Sequence, residues 1–154
     1  MKIRSILFVC LGNICRSPLA EGIARDMNNR NAWNLQLDSC GTSSFHLGEN
    51  PHTYSVLVAQ RNGIDISQLQ SRPINFCDDK HFDIIIGMDS QNKRDILNLG
   101  FETNKVFKLG DFGDGEDIPD PYYFKDDRGF IMVYELIESL LKKMFQHYGF
   151  ILYK

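Results

Sequence analysis

The residues Cys10-Leu11-Gly12-Asn13-Ile14-Cys15-Arg16-Ser17 follow a short apolar run, residues 6–9, and precede Pro18. Strand-forming residues dominate the run, while the segment after Pro18 repeats apolar side chains at helical spacing. The sequence therefore predicts a strand, a tight loop and the start of a helix. A thiol lies where the strand ends, and a guanidinium lies where the helix begins.

This loop has the properties of an anion-binding site. Unpaired backbone N–H groups and the helix dipole both favour negative charge at a helix N-terminus. We expect Cys10 to be a thiolate near neutral pH in such a position, and Arg16 can bind two oxygens of one anion at once. Gly12 leaves room for the backbone to bend inward. A nucleophile at the floor of an anion site indicates covalent chemistry, with phosphate as the first candidate.

The composition predicts one globular domain over residues 1–154, since 43% of the residues are hydrophobic. The net charge of −3 argues against nucleic acid or an acidic membrane as a partner. The four cysteines lack CxxC spacing, which argues against common zinc ribbons and favours a reducing, cytoplasmic environment. We expect a monomer that needs no metal and no cofactor.

The remaining segments predict alternating strands and helices. Strands are expected at 3–9, 35–39, 82–88 and 105–109, helices at 18–29, 53–61, 90–99 and 128–148, and a helical turn at 75–80. Ser17 is the expected N-cap of the first helix. The alternation predicts a single α/β domain with a four-stranded parallel sheet and helices on both faces, as in flavodoxin-like folds. Cys10 then lies at the carboxyl end of a strand, where ligands bind in such sheets.

Cleavage of a phosphate monoester also needs a proton donor for the leaving oxygen. The best candidate is Asp120, in Asp120-Pro121-Tyr122-Tyr123 within a loop expected over residues 110–124. The proline stiffens the backbone beside the acid, and the tyrosines can form an aromatic wall. The other acids of this loop are interpreted as solvated charges: Asp111, Asp114, Glu116 and Asp117.

With these residues assembled, the chain resembles a low-molecular-weight protein tyrosine phosphatase over nearly its whole length. Residues 9–18 match that family's phosphate loop, and residues 120–123 match its general-acid loop. Two further segments resemble its second strand with the substrate rim and the end of its third strand: Asp38-Ser39 with residues 41–45 and Gly48, and Met88-Asp89 with Asn92.

The resemblance implies hydrolysis of phosphotyrosine, an aryl phosphate monoester, through a phosphocysteine. It makes Cys10 the nucleophile, Arg16 the residue that binds phosphate and stabilises the transition state, and Asp120 the general acid and then the base. It implies that substrate and phosphate contact Leu11, Gly12, Asn13, Ile14, Cys15, Ser17, Phe45, Tyr122 and Tyr123. It implies that phosphotyrosine proteins, a tyrosine kinase among the candidates, are the substrates.

The resemblance also implies that Asn13, Ser17 and Ser39 form the polar network that holds the loop. It further implies a reversible disulfide between Cys10 and Cys15 that protects the nucleophile. The alternative for Cys15 is a small buried residue that fills the core.

One departure concerns the support of the loop. The family often has a histidine in the connection after the third helix, where this chain has Gln68-Leu69, so the support must differ. Cys40 and Cys77 are expected in the core.

Three other functions stay open at this stage. A phosphoarginine phosphatase of the same superfamily tends to carry threonine where Ile14 stands, and an apolar residue there favours an aryl ester. A thiol-dependent arsenate reductase needs a further pair of cysteines, and only Cys77 lies near a suitable place. A phosphate-binding module without turnover would not need Cys10, Arg16 and Asp120 together.

Overall fold

The computed structural model describes residues 2–153 and is built around a parallel sheet. Its strands are β1 (Ser5–Cys10), β2 (Gln36–Gly41), β3 (Ile84–Gly87) and β4 (Val106–Lys108), in the order β2-β1-β3-β4. Neighbouring strands pair in parallel throughout. The predicted single-domain α/β fold with four parallel strands is therefore confirmed.

Helices cover both faces of the sheet. They are α1 (Arg16–Asn31), α2 (Thr53–Arg61), α3 (Phe76–Asp79), α4 (Ser90–Asn98) and α5 (Arg128–His147). Helices α1, α2 and α5 pack together on one face, and α4 packs on β3 and β4 on the other. Within residues 2–153, no helix is both long and apolar enough to cross a membrane.

Strand β1 is buried along its whole length, and its side chains contribute to two hydrophobic cores, one on each face of the sheet. Because side chains alternate along a strand, Ile6, Phe8 and Cys10 face the layer formed by α1, α2 and α5, whereas Leu7 and Val9 face α4. Cys10 is thus the last residue of β1. Its sulfur lies at the carboxyl edge of the sheet, on the side of the larger core.

The strand boundaries differ from the expected ones by one or two residues, and two of these differences lie at the amino ends of β1 and β3. β1 begins at Ser5 rather than at residue 3, and β3 begins at Ile84 rather than at residue 82. The cause is Asp83, whose carboxylate accepts hydrogen bonds from the N–H groups of Arg4 at 2.7 Å and Ser5 at 3.1 Å. At that end of the sheet a side chain replaces the backbone bonds between β1 and β3.

The loop predicted over residues 110–124 contains two short 3-10 turns, Leu109–Phe112 and Pro121–Tyr123. The acids interpreted as solvated charges include Asp111 and Asp117, which are exposed and also form surface ion pairs. Asp111 pairs with Lys93 at 3.2 Å, and Asp117 pairs with Lys108 at 2.9 Å. These bonds tie the loop to α4 and to the end of β4.

Two single-residue predictions are also wrong. α1 begins at Arg16 with Cys15 at the N-cap position, so Ser17 lies in the first turn and its hydroxyl bonds elsewhere. Cys77 is exposed, because Asp79 occupies the buried side of the single-turn helix α3. Cys40 is fully buried, as predicted.

Candidate active site

The phosphate loop, residues 10–17, has carbonyl groups turned away from its centre. Five of its carbonyl oxygens accept a hydrogen bond from outside the loop. Three of the donors are backbone N–H groups: Thr42 donates to Cys10 at 2.9 Å, Ser43 to Leu11 at 3.0 Å and His52 to Ile14 at 2.8 Å. The other two are hydroxyls: Ser71 donates to Gly12 at 2.9 Å and Ser55 to Cys15 at 3.4 Å. Among the described residues every peptide is trans, so each outward C=O places its N–H on the opposite side. The loop is therefore a preformed ring of inward-facing donors, as the sequence predicts.

Asn13 organises the loop from within. Its backbone has a φ of 56°, a left-handed conformation that asparagine tolerates better than most residues. Its N–H donates to the Cys10 sulfur at 3.3 Å, and its side-chain amide donates to the hydroxyls of Ser17 at 2.8 Å and Ser39 at 3.0 Å. Its Oδ1 accepts from the N–H of Arg72 at 3.1 Å, which fixes the orientation of the amide.

The Ser17 hydroxyl lies 3.0 Å from the Cys10 sulfur. Because Ser17 Oγ already accepts from the Asn13 amide, its own proton is available to donate to a thiolate. The carbonyl of Cys40, at 3.3 Å, is the other acceptor in reach. Ser17 thus stands where it can stabilise negative charge on the sulfur.

The same network ends at a buried carboxylate that the sequence does not predict. Ser39 donates to Glu21 at 2.7 Å, and Glu21, which is 2% exposed, also accepts from Arg25 at 2.6 Å. Burial raises the pKa of Glu21, and the bonds from Ser39 and Arg25 oppose this shift. Because the Ser39 hydroxyl donates its hydrogen bond to Glu21, the Ser39 oxygen can accept a hydrogen bond from the Asn13 amide.

The Arg16 side chain is 3% exposed and already oriented. Its Nη1 donates to Asp89 at 2.7 Å and to the Ile118 carbonyl at 2.9 Å. Burial on its own lowers the pKa of Arg16, but Cys10, Asp89 and Asp120 more than offset it, so the net shift is upward. The guanidinium is therefore a fixed positive charge at the edge of the loop.

Asp89 is held as firmly as the arginine it pairs with. It follows β3 and caps α4, with its Oδ1 accepting from the N–H of Asn92 at 2.7 Å. The sequence analysis placed Asp89 at a strand end but gave it no role. An aspartate directly after a buried strand and three residues before an asparagine is the available signal, because it indicates an N-cap at the same sheet edge.

Asp120 and the phosphate loop line one cavity of about 290 Å³. Its Oδ1 accepts from the N–H of Tyr122 at 3.1 Å, and its Oδ2 lies 3.7 Å from Arg16 Nη2. The cavity is lined by Cys10, Leu11, Gly12, Ile14, Cys15, Arg16, Ser43, Phe45, His46, Asp120, Tyr122 and Tyr123.

Most of the predicted site residues thus meet in one cavity. Asn13 and Ser17, predicted to contact phosphate, are not among the lining residues and bond behind the loop instead. His46 and Ser43 line the cavity without having been predicted. A Cβ atom on Gly12 would lie 2.8 Å from His46 Cδ2, so any side chain at this position would force the His46 ring to move.

Further support for the loop comes from residues shortly after Leu69. Ser71 bonds the Gly12 carbonyl and Arg72 bonds Asn13, as described above. The Arg72 guanidinium also pairs with Asp79 at 2.9 Å and with Asp38 at 3.0 Å. Burial lowers the pKa of Arg72, but the bonds to these acids raise it overall.

Cys15 is a buried thiol beside the nucleophile candidate. Burial raises the pKa of Cys15, and the nearby Cys10 and Asp120 raise it further, so Cys15 stays protonated. All four cysteines are free thiols in this structure. The Cys10–Cys15 disulfide stays a prediction.

Comparison with known proteins identifies the family. The family model described as low molecular weight phosphotyrosine protein phosphatase matches residues 5–149. The chain belongs to this family. The predicted assignment as a protein tyrosine phosphatase, a hydrolase, is confirmed at the level of the family.

Individual relatives agree with the assignment. The low molecular weight protein-tyrosine-phosphatase PtpA of Staphylococcus haemolyticus is 41% identical over 138 residues, which cover 87% of this chain and 86% of the relative. A crystal structure of a protein tyrosine phosphatase from Entamoeba histolytica has a TM-score of 0.86 at 33% identity and covers 93% of this chain and 95% of that one. The crystal structure of DARP, a Drosophila arginine phosphatase, has a TM-score of 0.87 at 30% identity and covers 97% and 98%.

Proposed function

We propose that the chain hydrolyses phosphotyrosine in proteins through a phosphocysteine on Cys10. One observation carries the proposal: the Cys10 thiol, the Arg16 guanidinium and the Asp120 carboxyl line a single cavity beside aromatic side chains. A phosphoryl group held by the inward N–H groups and Arg16 sits over the sulfur. A tyrosyl ring then extends towards the mouth.

In the first step the Cys10 thiolate attacks phosphorus and forms a P–S bond. The bond between phosphorus and the tyrosyl oxygen breaks, and protonated Asp120 donates its proton to that oxygen. Asp120 lines the same cavity as Cys10, which supports its role as the proton donor to the leaving oxygen.

In the second step Asp120, now a carboxylate, takes a proton from a water molecule. The water oxygen attacks phosphorus, the P–S bond breaks, and inorganic phosphate leaves with Cys10 again a thiolate. The Ser17 hydroxyl, 3.0 Å from the sulfur, stabilises the thiolate both as nucleophile and as leaving group. No atom changes its oxidation state in either step.

Arg16 and the loop amides supply the electrostatic part of catalysis. Charge on the equatorial phosphoryl oxygens is met by donors that are in place before the substrate arrives. Asp89 and the Ile118 carbonyl hold the Arg16 guanidinium from behind. Little reorganisation is then needed as the transition state forms.

The mouth of the cavity favours an aromatic substrate. Phe45 is 83% exposed and Tyr123 is 74% exposed, and Leu11 and Tyr122 are also exposed beside them. Exposed apolar side chains that cluster around a cavity indicate a binding surface, whereas exposed apolar side chains scattered over a surface do not. A tyrosyl ring can be covered by these side chains while its phosphate reaches the loop.

The alternatives differ from this proposal at named residues. Ile14 is an apolar wall of the cavity, which favours an aryl ester over the polar guanidinium of phosphoarginine. Cys77 does not line the cavity and lies on α3, so it offers no route for the disulfide relay of an arsenate reductase. A phosphorylated tyrosine kinase is one candidate substrate protein.

A side-by-side assay tests the proposal. The purified chain is given phosphotyrosine, phosphoserine and phosphoarginine peptides, and arsenate with a thiol reductant, at matched concentrations. We expect kcat/KM for phosphotyrosine to exceed the others by at least about a hundredfold, because only the aryl ester uses the aromatic mouth. Faster turnover of phosphoarginine or arsenate would overturn the assignment of substrate class.

The nucleophile has a matched control in the same chain. Cys10→Ser should abolish turnover of an aryl phosphate yet keep phosphate binding, while the exposed Cys77→Ser should leave kcat unchanged. Retained activity in Cys10→Ser would contradict the covalent mechanism.

A further inference from the structure

We propose that Ser71 is a positioning residue that sets the peptide between Gly12 and Asn13 so that its N–H faces the Cys10 sulfur and the bound phosphoryl group. This inference rests on the proposed function. It assigns a role in that reaction to a residue outside both functional loops.

The two hydrogen bonds that carry the inference lie on one peptide unit. The Ser71 hydroxyl donates to the Gly12 carbonyl at 2.9 Å, and the N–H of Asn13 donates to the Cys10 sulfur at 3.3 Å. In a trans peptide the C=O of one residue and the N–H of the next point in opposite directions. Holding the Gly12 oxygen from outside therefore aims the Asn13 N–H inward.

This peptide needs such a restraint more than its neighbours do. Gly12 has no Cβ to limit its backbone, and Asn13, at a φ of 56°, belongs to the residue type that adopts either sign of φ. The peptide between them can therefore rotate at little steric cost. Rotation would point a carbonyl oxygen at the thiolate in place of an N–H.

The hydrogen bond to the Gly12 carbonyl also depends on which side chain stands at position 71. Backbone N–H groups hold the carbonyls of Cys10, Leu11 and Ile14, and these donors persist whatever side chain is present. The Gly12 carbonyl depends on a hydroxyl instead. Ser71 is 3% exposed, so water has little access to replace that hydroxyl.

The backbone of Ser71 holds the segment that carries the substrate rim. Its N–H donates to the Glu49 carbonyl at 2.8 Å, and its carbonyl accepts from the N–H of Gly48 at 2.8 Å. One residue thus connects the rim segment to the phosphate loop. This fixes the Ser71 hydroxyl against Gly12.

The test compares Ser71→Ala, Ser71→Thr and a control, Ser5→Ala. Ser5 is 6% exposed and accepts one hydrogen bond, from the N–H of Asp83 at 2.9 Å, at the other end of β1. The measurements are kcat and KM on an aryl phosphate per active site, the dissociation constant of inorganic phosphate, and the NMR shift of the Asn13 amide proton.

We expect Ser71→Ala to lower kcat/KM about threefold to tenfold and to weaken phosphate binding by a similar factor, because one buried hydrogen bond to the donor ring is lost. The Asn13 amide proton should move upfield. Ser71→Thr, which keeps the hydroxyl, should restore most of each effect, and Ser5→Ala should change none of the three. Should Ser71→Ala fail to fold, Ser71→Cys, similar in size with a weaker donor, replaces it under the same criteria.

The inference is overturned if Ser71→Ala matches Ser5→Ala in kcat/KM, phosphate binding and the Asn13 shift. It is also overturned if Ser71→Thr is as impaired as Ser71→Ala with its fold intact. If the wild-type chain does not hydrolyse aryl phosphates, the proposed function fails. Phosphate binding and the Asn13 shift then still decide the role of Ser71.

Discussion

The phosphate loop and the acid loop, residues 120–123, line one cavity but are held in different ways. Six of the eight residues of the phosphate loop are buried, and its carbonyls are bonded by segments from three other parts of the chain. In the acid loop Pro121 is buried while Tyr122 and Tyr123 are exposed. The Tyr122 ring packs near the rings of His46 and His52, with centroid–centroid distances of 5.9 and 6.0 Å.

The difference matches the separate tasks of the two loops. Stabilising charge on phosphoryl oxygens requires donors that do not reorganise, and hydrogen bonds from rigid elements provide this. A proton donor must reach a leaving oxygen whose position depends on the substrate. Asp120 accepts one short-range hydrogen bond, from the Tyr122 N–H, and its Oδ2 lies 3.7 Å from Arg16 Nη2, which is a looser restraint than the set of bonds on the phosphate loop.

The largest expected effect of a substitution is in the phosphate loop. Arg16→Lys should lower kcat/KM about a thousandfold, because a lysine cannot bind two oxygens in the plane that Asp89 and Ile118 set. The loss should be the same for good and poor leaving groups, since Arg16 binds the equatorial phosphoryl oxygens and not the leaving oxygen. Steady-state kinetics on an aryl ester series checks this, with Arg30→Lys as the control, at a surface ion pair with Asp26 on the same helix. A loss that varies with the leaving group would place Arg16 in proton transfer.

In the acid loop, the loss of rate caused by a substitution should depend on the leaving group. Asp120→Asn should slow phosphotyrosine about a hundredfold, because the leaving oxygen needs its proton. An ester with an acidic phenol should lose much less. Asp114, an exposed acid earlier in the same part of the chain, provides the control Asp114→Asn. Equal losses on both esters would mean that the acid lies elsewhere.

Much of this contrast could be predicted from the sequence, and the reason is distance along the chain. Cys10 and Arg16 belong to one short strand-loop-helix segment, so local pattern alone brings them together. Asp120 is remote and was reached through its Asp-Pro-Tyr-Tyr context and the family resemblance. The network members Glu21, Ser71 and Arg72 could not be found, because no local pattern shows which loops pack behind residues 10–17.

The error at Ser17 has the same physical origin. A serine at that place in a sequence satisfies the pattern of an N-cap. Its hydroxyl is instead used by Cys10 and Asn13, which the fold brings within 3.0 and 2.8 Å. The choice between capping and the thiol depends on tertiary contacts.

The smallest expected effect concerns the rim. Phe45→Ala should raise KM for a phosphotyrosine peptide about threefold to tenfold and leave kcat nearly unchanged, because the ring covers the substrate without touching the reacting atoms. Leu47, exposed in the same segment but absent from the cavity lining, provides the control Leu47→Ala. A large loss of kcat in Phe45→Ala would show that the rim also shapes the phosphate loop.

The central claim, that Cys10 carries the phosphoryl group, is tested most directly by trapping it. The chain is mixed with excess aryl phosphate, quenched within the first turnover and analysed by mass spectrometry of the intact protein and its peptides. We predict one phosphoryl group on the peptide that contains Cys10, formed in step with a burst of phenol and missing from Cys10→Ser. A burst without phosphorylated protein, or a phosphoryl group on another residue, would contradict the account.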